Sequence, residues 1–266
     1  MKKSAFILLC ILPSLLDVSK TYIDNYLLKQ KENEIYTPVN IQFLADFLQS
    51  SRDNAFHFLY NHTDKIDMVM KTQGFTWNLI DPIIEREEIN QRLYKDGHAF
   101  QAITDKPDWT EMQHKIKSKY NSGYADRVVL WAKIKWSEHK KDWTDYTKYV
   151  IEKVEKYGAY VKIFPYVSVA TFNTQSLNYC AWEIFTYSTN PQELKKALDW
   201  SDKVIKALPE PNANYLDTYA NLLYKLGRTE EALNYEEKAF ALNPNAKDII
   251  DNLAKIKRGE PTWPMK

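Results

Sequence analysis

Histidine, cysteine and carboxylate side chains most often hold metals or move protons, so their spacing sets the first limits. The histidines are His57, His62, His98, His114 and His139. No two stand four apart, the spacing that puts two imidazoles on one helix face for zinc. His57 and His62, five apart, fall on different parts of a helix surface. The cysteines are Cys10 and Cys180, so no Cys-x-x-Cys redox pair exists. Cys180 lies among Leu177, Ala181 and Ile184 and reads as a small core residue, although an intermolecular disulfide stays open if the chain is exported. Glu85-Arg86-Glu87-Glu88 reads as a solvated helix face rather than an acid/base pair. No Gly-x-Ser-x-Gly elbow occurs. The six glycines stand singly, whereas a phosphate-cradling loop needs them clustered so that backbone amides reach the anion. The expectation is no catalytic residue, no metal and no cofactor. Asn61-His62-Thr63 matches a glycosylation acceptor, which matters only in a eukaryotic secretory host.

Charge narrows the partners. With 36 basic and 35 acidic residues, the chain lacks the basic excess of a nucleic-acid footprint. The lysines near Lys133–Lys141 are interleaved with Trp and Glu and read as a solvated helix face. Aromatic residues make up 14% of the chain, with 18 Tyr and 8 Trp. Such side chains suit helix–helix seams and binding grooves equally well.

Residues 1–19 read as a signal peptide: Met1-Lys2-Lys3 is positive, and Ala5 to Leu16 is apolar. That run is shorter than the roughly 20 residues of a membrane-spanning helix, so no transmembrane span is expected. Cys10 follows Leu9 rather than a small residue and reads as an apolar residue of the leader, with lipidation as the alternative. Residues 20–38 form a polar arm, either mobile or a short helix.

The elements that must position any site are helices. In residues 39–120, Ile41, Leu44, Phe47 and Leu48 have helical spacing. Asp53 is placed to cap a helix carrying Phe56 and Leu59. A short helix follows at 64–72, then a longer one from Thr76 to Tyr94 that Pro82 starts or kinks. Trp109, Met112 and Ile116 share the face of another, closed by Asn121-Ser122-Gly123. Tyr124 to Tyr157 reads as a hairpin turning at Lys140-Lys141-Asp142 and stopped by Gly158. Residues 159–173 carry alternating polarity and Pro165; they are expected to be an irregular or short helical link, since no second strand offers pairing.

From Leu177 the chain repeats with a period of 35: Ala197, Leu198, Trp200, Lys203 and Val204 recur as Ala232, Leu233, Tyr235, Lys238 and Ala239, and Pro209 as Pro244. One hairpin cannot bury its apolar face alone, so such units stack. The second copy resembles a tetratricopeptide repeat beginning at Ala213. Leu216, Tyr219, Ala220 and Leu223 fill first-helix packing positions, Ala232 and Ala239 the close crossings, Gly227 the turn and Pro244 the end. Glu236 stands where that family has an aromatic residue, which implies an exposed terminal surface. A looser copy at 178–211 keeps Ala181, Ile184, Phe185, Ala197, Val204 and Pro209. Asp248 to Ile256 reads as a capping helix, and 259–266 as a loose tail. The fold class is all-α, helical hairpins stacked as a tetratricopeptide-like right-handed solenoid over 121–258.

A wider resemblance is carried by Phe43-Leu44-Ala45-Asp46-Phe47, Ala55-Phe56, Lys141-Asp142-Trp143, Leu177-Asn178 with Ala181-Trp182, and Leu216-Asp217-Thr218-Tyr219-Ala220. In that order they resemble the helical C-terminal extension of exported bacterial thioredoxin-family proteins. Those proteins also carry a Cys-x-x-Cys domain, and this sequence does not. The resemblance therefore implies fold and export, not disulfide chemistry. The expected function is a non-enzymatic, exported helical-repeat protein of the periplasm or cell envelope that binds a protein or peptide. By the repeat resemblance its groove would be lined by Tyr179, Trp182, Asn214, Asp217, Asn221, Tyr224 and Lys225; Tyr179 and Trp182 serve a helix core equally well. The alternatives are an accessory partner of a separate thioredoxin-like redox protein, or glycan or small-ligand binding on Trp and Tyr platforms.

Overall fold

The computed structural model describes residues 34–95, 98–99, 105–159 and 169–264, together with Tyr26 and Lys29. The expected signal peptide and most of the polar arm lie outside the described residues. The rest is built from helices packed on helices, in two units, residues 1–129 and 130–266.

In the first unit, α1 (Pro38–Asp46), α2 (Asn54–Asn61), α3 (Thr63–Val69) and α4 (Phe75–Ile84) follow one another, with α5 (Trp109–Lys119) after a connection. Pro38 starts α1 rather than ending the arm: its missing N–H is no loss in a first turn, and Thr37 caps the helix by accepting from the Asn40 N–H. The end of the arm is tied down. Ile35 is buried with Leu44 and Ala55, and the Tyr26 hydroxyl donates to Asn40 Oδ1 at 2.7 Å. A two-residue antiparallel ladder pairs Tyr94 with Ala99 and Lys95 with His98.

The acidic run at 85–88 departs from its reading as a solvated face. It lies in a π-helical turn, Glu85–Asn90, that continues α4. Glu85 is buried. Glu87 accepts from the Ser50 hydroxyl and the Ser51 N–H, both at 3.0 Å, and from the Ser51 hydroxyl. Burial raises its carboxyl, but the serine hydrogen bonds outweigh that and hold it below the ordinary value. Glu88 pairs with Lys119. These carboxylates pin a loop and a neighbouring helix. Arg127 donates bidentately to Asp81 at 2.8 and 3.0 Å and lies over the Trp77 and Tyr124 rings, so its charge is paired and covered by ring faces.

Helix α6 (Ser122–Lys140) leads into the second unit, followed by α7 (Trp143–Tyr157), α8 (Val169–Tyr187), α9 (Pro191–Lys206), α10 (Ala213–Lys225), α11 (Thr229–Leu242) and α12 (Lys247–Arg258). Residues 169–173, expected in the irregular link, belong to α8; 160–168 lie outside the described residues. From α8 onward each helix packs on the next, and α8–α10 and α10–α12 also touch. The breaks are written chemically. Asn190 caps α9 ahead of Pro191, and Asn212 caps α10 through its side-chain oxygen. Gly227, at φ 80°, lets the Arg228 N–H return to the Leu223 carbonyl at 2.9 Å, a turn geometry that side-chain-bearing residues resist.

Two expectations are overturned here. Glu236 does not mark an exposed surface: it has no exposed area, because α10 and α12 both pack on α11. It faces Asp217 of α10. Two buried carboxylates facing each other repel as anions, which favours a proton on Glu236. The tail is not loose up to Pro264, since Trp263 packs against the core of the second unit.

Burial, reinforced by the Asp217 charge, pushes the Glu236 carboxyl from its ordinary 4.5 up to about 10. A carboxyl raised in the folded state stabilises fully below its unfolded pKa and loses that stabilisation as pH rises through the folded one. The urea midpoint of the wild type is therefore expected to fall more steeply from about pH 5 to about pH 9 than that of Glu236→Gln. Parallel midpoint–pH curves would show that Glu236 ionises freely.

Candidate functional site

The seven residues assigned to a groove sit on α8 and α10, and the structure divides them into three groups. Tyr179 is half exposed and Asn214 is exposed, while Trp182 is half-buried with its ring 4.8 Å from that of Phe185. These keep surface for a ligand.

Asp217 and Asn221 do not. They are 5% and 0% exposed. The Asn221 amide donates to Asp217 Oδ1 at 2.9 Å, and Asn252 of α12 donates to the same oxygen at 2.9 Å. Burial raises the Asp217 carboxyl, opposed chiefly by the Asn252 hydrogen bond. Their side chains belong to the interior of the α10–α11–α12 layer. Helix position alone shows which way they point, but not that a following helix covers them.

Tyr224 and Lys225 are half-buried, and the tail lies over them. The Lys225 ammonium donates to the Phe185 carbonyl at 2.5 Å and stands 5.2 Å from both the Phe185 and Trp263 ring centroids. Trp263 contacts Tyr224 at 5.8 Å and Phe185 edge-on at 6.4 Å. A continuous aromatic strip thus runs through Trp182, Phe185, Trp263 and Tyr224.

A second constellation was not foreseen as a site. Glu183 of α8 accepts from the Tyr146 hydroxyl of α7 at 2.6 Å and from Tyr179. Trp143 and Tyr187 stack at 3.9 Å with 9° between planes, and Tyr146 stands edge-on to both. Burial raises the Glu183 carboxyl, and the two phenol hydrogen bonds oppose that. Burial and the Glu183 charge push Tyr179 up to about 12 and shift Tyr146 upward too. At neutral pH both phenols therefore keep their protons and act as donors to Glu183. The sequence signals were Trp143, in the quoted Lys141-Asp142-Trp143, and Tyr146 on the same helix face. Their convergence with Glu183 needs the packing of α7 on α8.

Cys180 lies next to this group in sequence and is buried. Burial pushes its thiol up to about 11, so the reactive thiolate is scarce at neutral pH. Among the described residues no group of three or more His, Cys, Asp or Glu side chains could hold a metal ion. A shallow depression of about 440 Å³ in the first unit is lined by residues including Gln113, His114, Lys117 and Asp126; it contains none of the expected groove residues. No helix among the described residues is long and apolar enough to cross a membrane.

Compared with models of protein families and with curated proteins, the chain matches none.

The bond from Tyr146 to Glu183 is stronger when that carboxyl is ionised. Tyr146→Phe is therefore expected to raise the Glu183 pKa further and to cost about 1.5–3 kcal/mol at pH 8, the range for a hydrogen bond to a charged group. The loss should shrink at acidic pH, where Glu183 is protonated. Urea unfolding of both proteins at the two pH values, with carboxyl titration by NMR, measures this.

Proposed function

We propose that the chain is a non-enzymatic helical-repeat protein that binds a protein or peptide through the aromatic face of α8 and α10. The observation that carries this reading is the cluster of Trp182, Tyr224 and Lys225 around the buried Phe185; Tyr179 and Asn214 on the same two helices are exposed. Flat rings give contact area at small entropic cost, and amides pair with peptide backbone. The 35-residue period and the successive packing of α8 to α12 support a tetratricopeptide-like solenoid, in which the first helix of each hairpin lines the binding surface. The groove of this proposal is smaller than seven residues: Tyr179, Trp182, Asn214, Tyr224 and Lys225.

Export to the periplasm or cell envelope is part of the proposal and rests on the charged start and apolar run of residues 1–16. Glycan or small-ligand binding is a second reading, favoured by Trp143 and Tyr187 beside the Glu183 carboxylate, since sugars stack on ring faces and donate to carboxylates. Docking to a separate thioredoxin-like redox protein is a third reading from the resemblance. Buried Cys180 gives it no direct thiol role.

A peptide library and a glycan array probed with the wild type, Trp182→Ala and Tyr187→Ala separate the first two readings. Peptide capture that falls about tenfold or more in Trp182→Ala, the scale of an interface hot spot, is the expected result. Glycan binding lost in Tyr187→Ala would favour the second reading, and unchanged peptide capture in Trp182→Ala would sink the first.

A further inference from the structure

The chain already places a side chain on the strip assigned to a ligand. After α12, Gly259 at φ 71° turns the backbone, and the Gly259 and Glu260 N–H groups close the helix on Ile256 and Lys255. The segment then crosses to the ends of α8 and α10, where Trp263 meets Phe185, Tyr224 and the Lys225 ammonium. We propose that this seat is a recognition pocket for an aromatic residue of a partner peptide, indole above all, and that Thr262-Trp263-Pro264 occupies it as a displaceable internal ligand. The proposal rests on the peptide-binding reading and names the residue class that reading would select.

Three observations make the seat a pocket rather than a simple hydrophobic end-cap. Its walls come from α8 and α10, and the Lys225 ammonium is held by the Phe185 carbonyl, a bond that does not involve the tail. The ammonium is thus presented to whatever ring lies above it, and an indole face is the strongest partner for such a cation. The fit of the tail is incomplete: the Thr262 hydroxyl is buried with no hydrogen-bond partner, and Trp263 itself is only half-buried. A buried donor left unmade weakens the tail's hold. A peptide carrying the same ring and satisfying that position would displace it.

A protein whose site is self-occupied binds an external ligand more weakly, in proportion to the fraction of molecules with the site open. The probe is a fluorescently labelled synthetic peptide with the sequence of residues 259–264, titrated against the full chain. Trp263→Ala is expected to bind it about tenfold or more tightly than the wild type. A chain ending at Gly259 should show the same gain. Lys225→Met in the Trp263→Ala background should lose it, and the same peptide with alanine for tryptophan should bind neither protein. If Trp263 is only a structural cap, Trp263→Ala and the shortened chain will melt at lower temperature with no gain in peptide affinity, which overturns the proposal. A peptide-library selection separates this failure from a wider one. Peptides without aromatic residues that bind wild type and Trp263→Ala equally, and are not displaced by the tail peptide, would leave peptide binding standing and remove the self-occupied pocket. Retention of no peptide by either protein would remove both.

Discussion

Helix axes approach closely only where no bulky side chain stands between them, and the second unit depends on that constraint. Ala181, Ala197, Ala220, Ala232 and Ala239 have no exposed area. They let neighbouring helices close to the distances at which Phe185, Leu194, Leu222 and Leu223 interlock around them. A larger residue at any of them would push two helices apart at once. Each helix from α9 to α11 is covered from both sequence neighbours, so the apolar stripe that one hairpin cannot bury alone is buried by the next.

The same close packing explains the polar interior. Asp217 and Asn252 stand one period apart and are joined by a 2.9 Å hydrogen bond, with Asn221 on the same oxygen and Glu236 opposite. A slip of α12 along α10 would separate these partners and leave a buried carboxyl unpaired, which costs on the order of 1–3 kcal/mol or more. The network therefore favours one register among the several that apolar contacts alone would accept. It also draws Asp217 and Asn221 out of any ligand surface. The surface that remains is aromatic, held by α8 and α10, and crossed by the chain's own tail.

Much of the fold was legible because helical spacing and helix-ending chemistry are local. Ile41 and Leu44, Trp109 with Met112 and Ile116, Ile249 and Ile256 all bury as their spacing implies. Asp108 caps α5 through the Glu111 N–H, and Gly158 ends α7. What was not legible depends on neighbours distant in the chain. Glu87 looks solvated until Ser50 and Ser51 are brought to it. Glu183 looks like an ordinary helix-surface charge until α7 delivers Tyr146. In the 133–141 run Lys140 and Lys141 are exposed as a solvated face requires, whereas Lys133 and Lys135 are half-buried, Lys135 over the Trp131 ring. Of the expected groove residues, Trp182 and Tyr224 join one aromatic cluster through Phe185 and Trp263, whereas Asp217 and Asn221 are buried.

The sequence by itself carried the stops at Gly158 and Gly227, the apolar stripe of most helices, and a residue pattern that recurs after 35 positions between Ala197 and Ala239. Those properties follow from backbone hydrogen bonding, side-chain period and residue size over a few neighbouring positions. Only the tertiary structure decided which polar residues face a neighbour instead of solvent, because burial is a property of what packs above a side chain. That is why Glu236, next to the exposed Glu237 on the same helix, has its carboxyl pushed up to about 10 in the interior. It is also why Trp263, five residues beyond the last helix, lies against Tyr224 and Phe185.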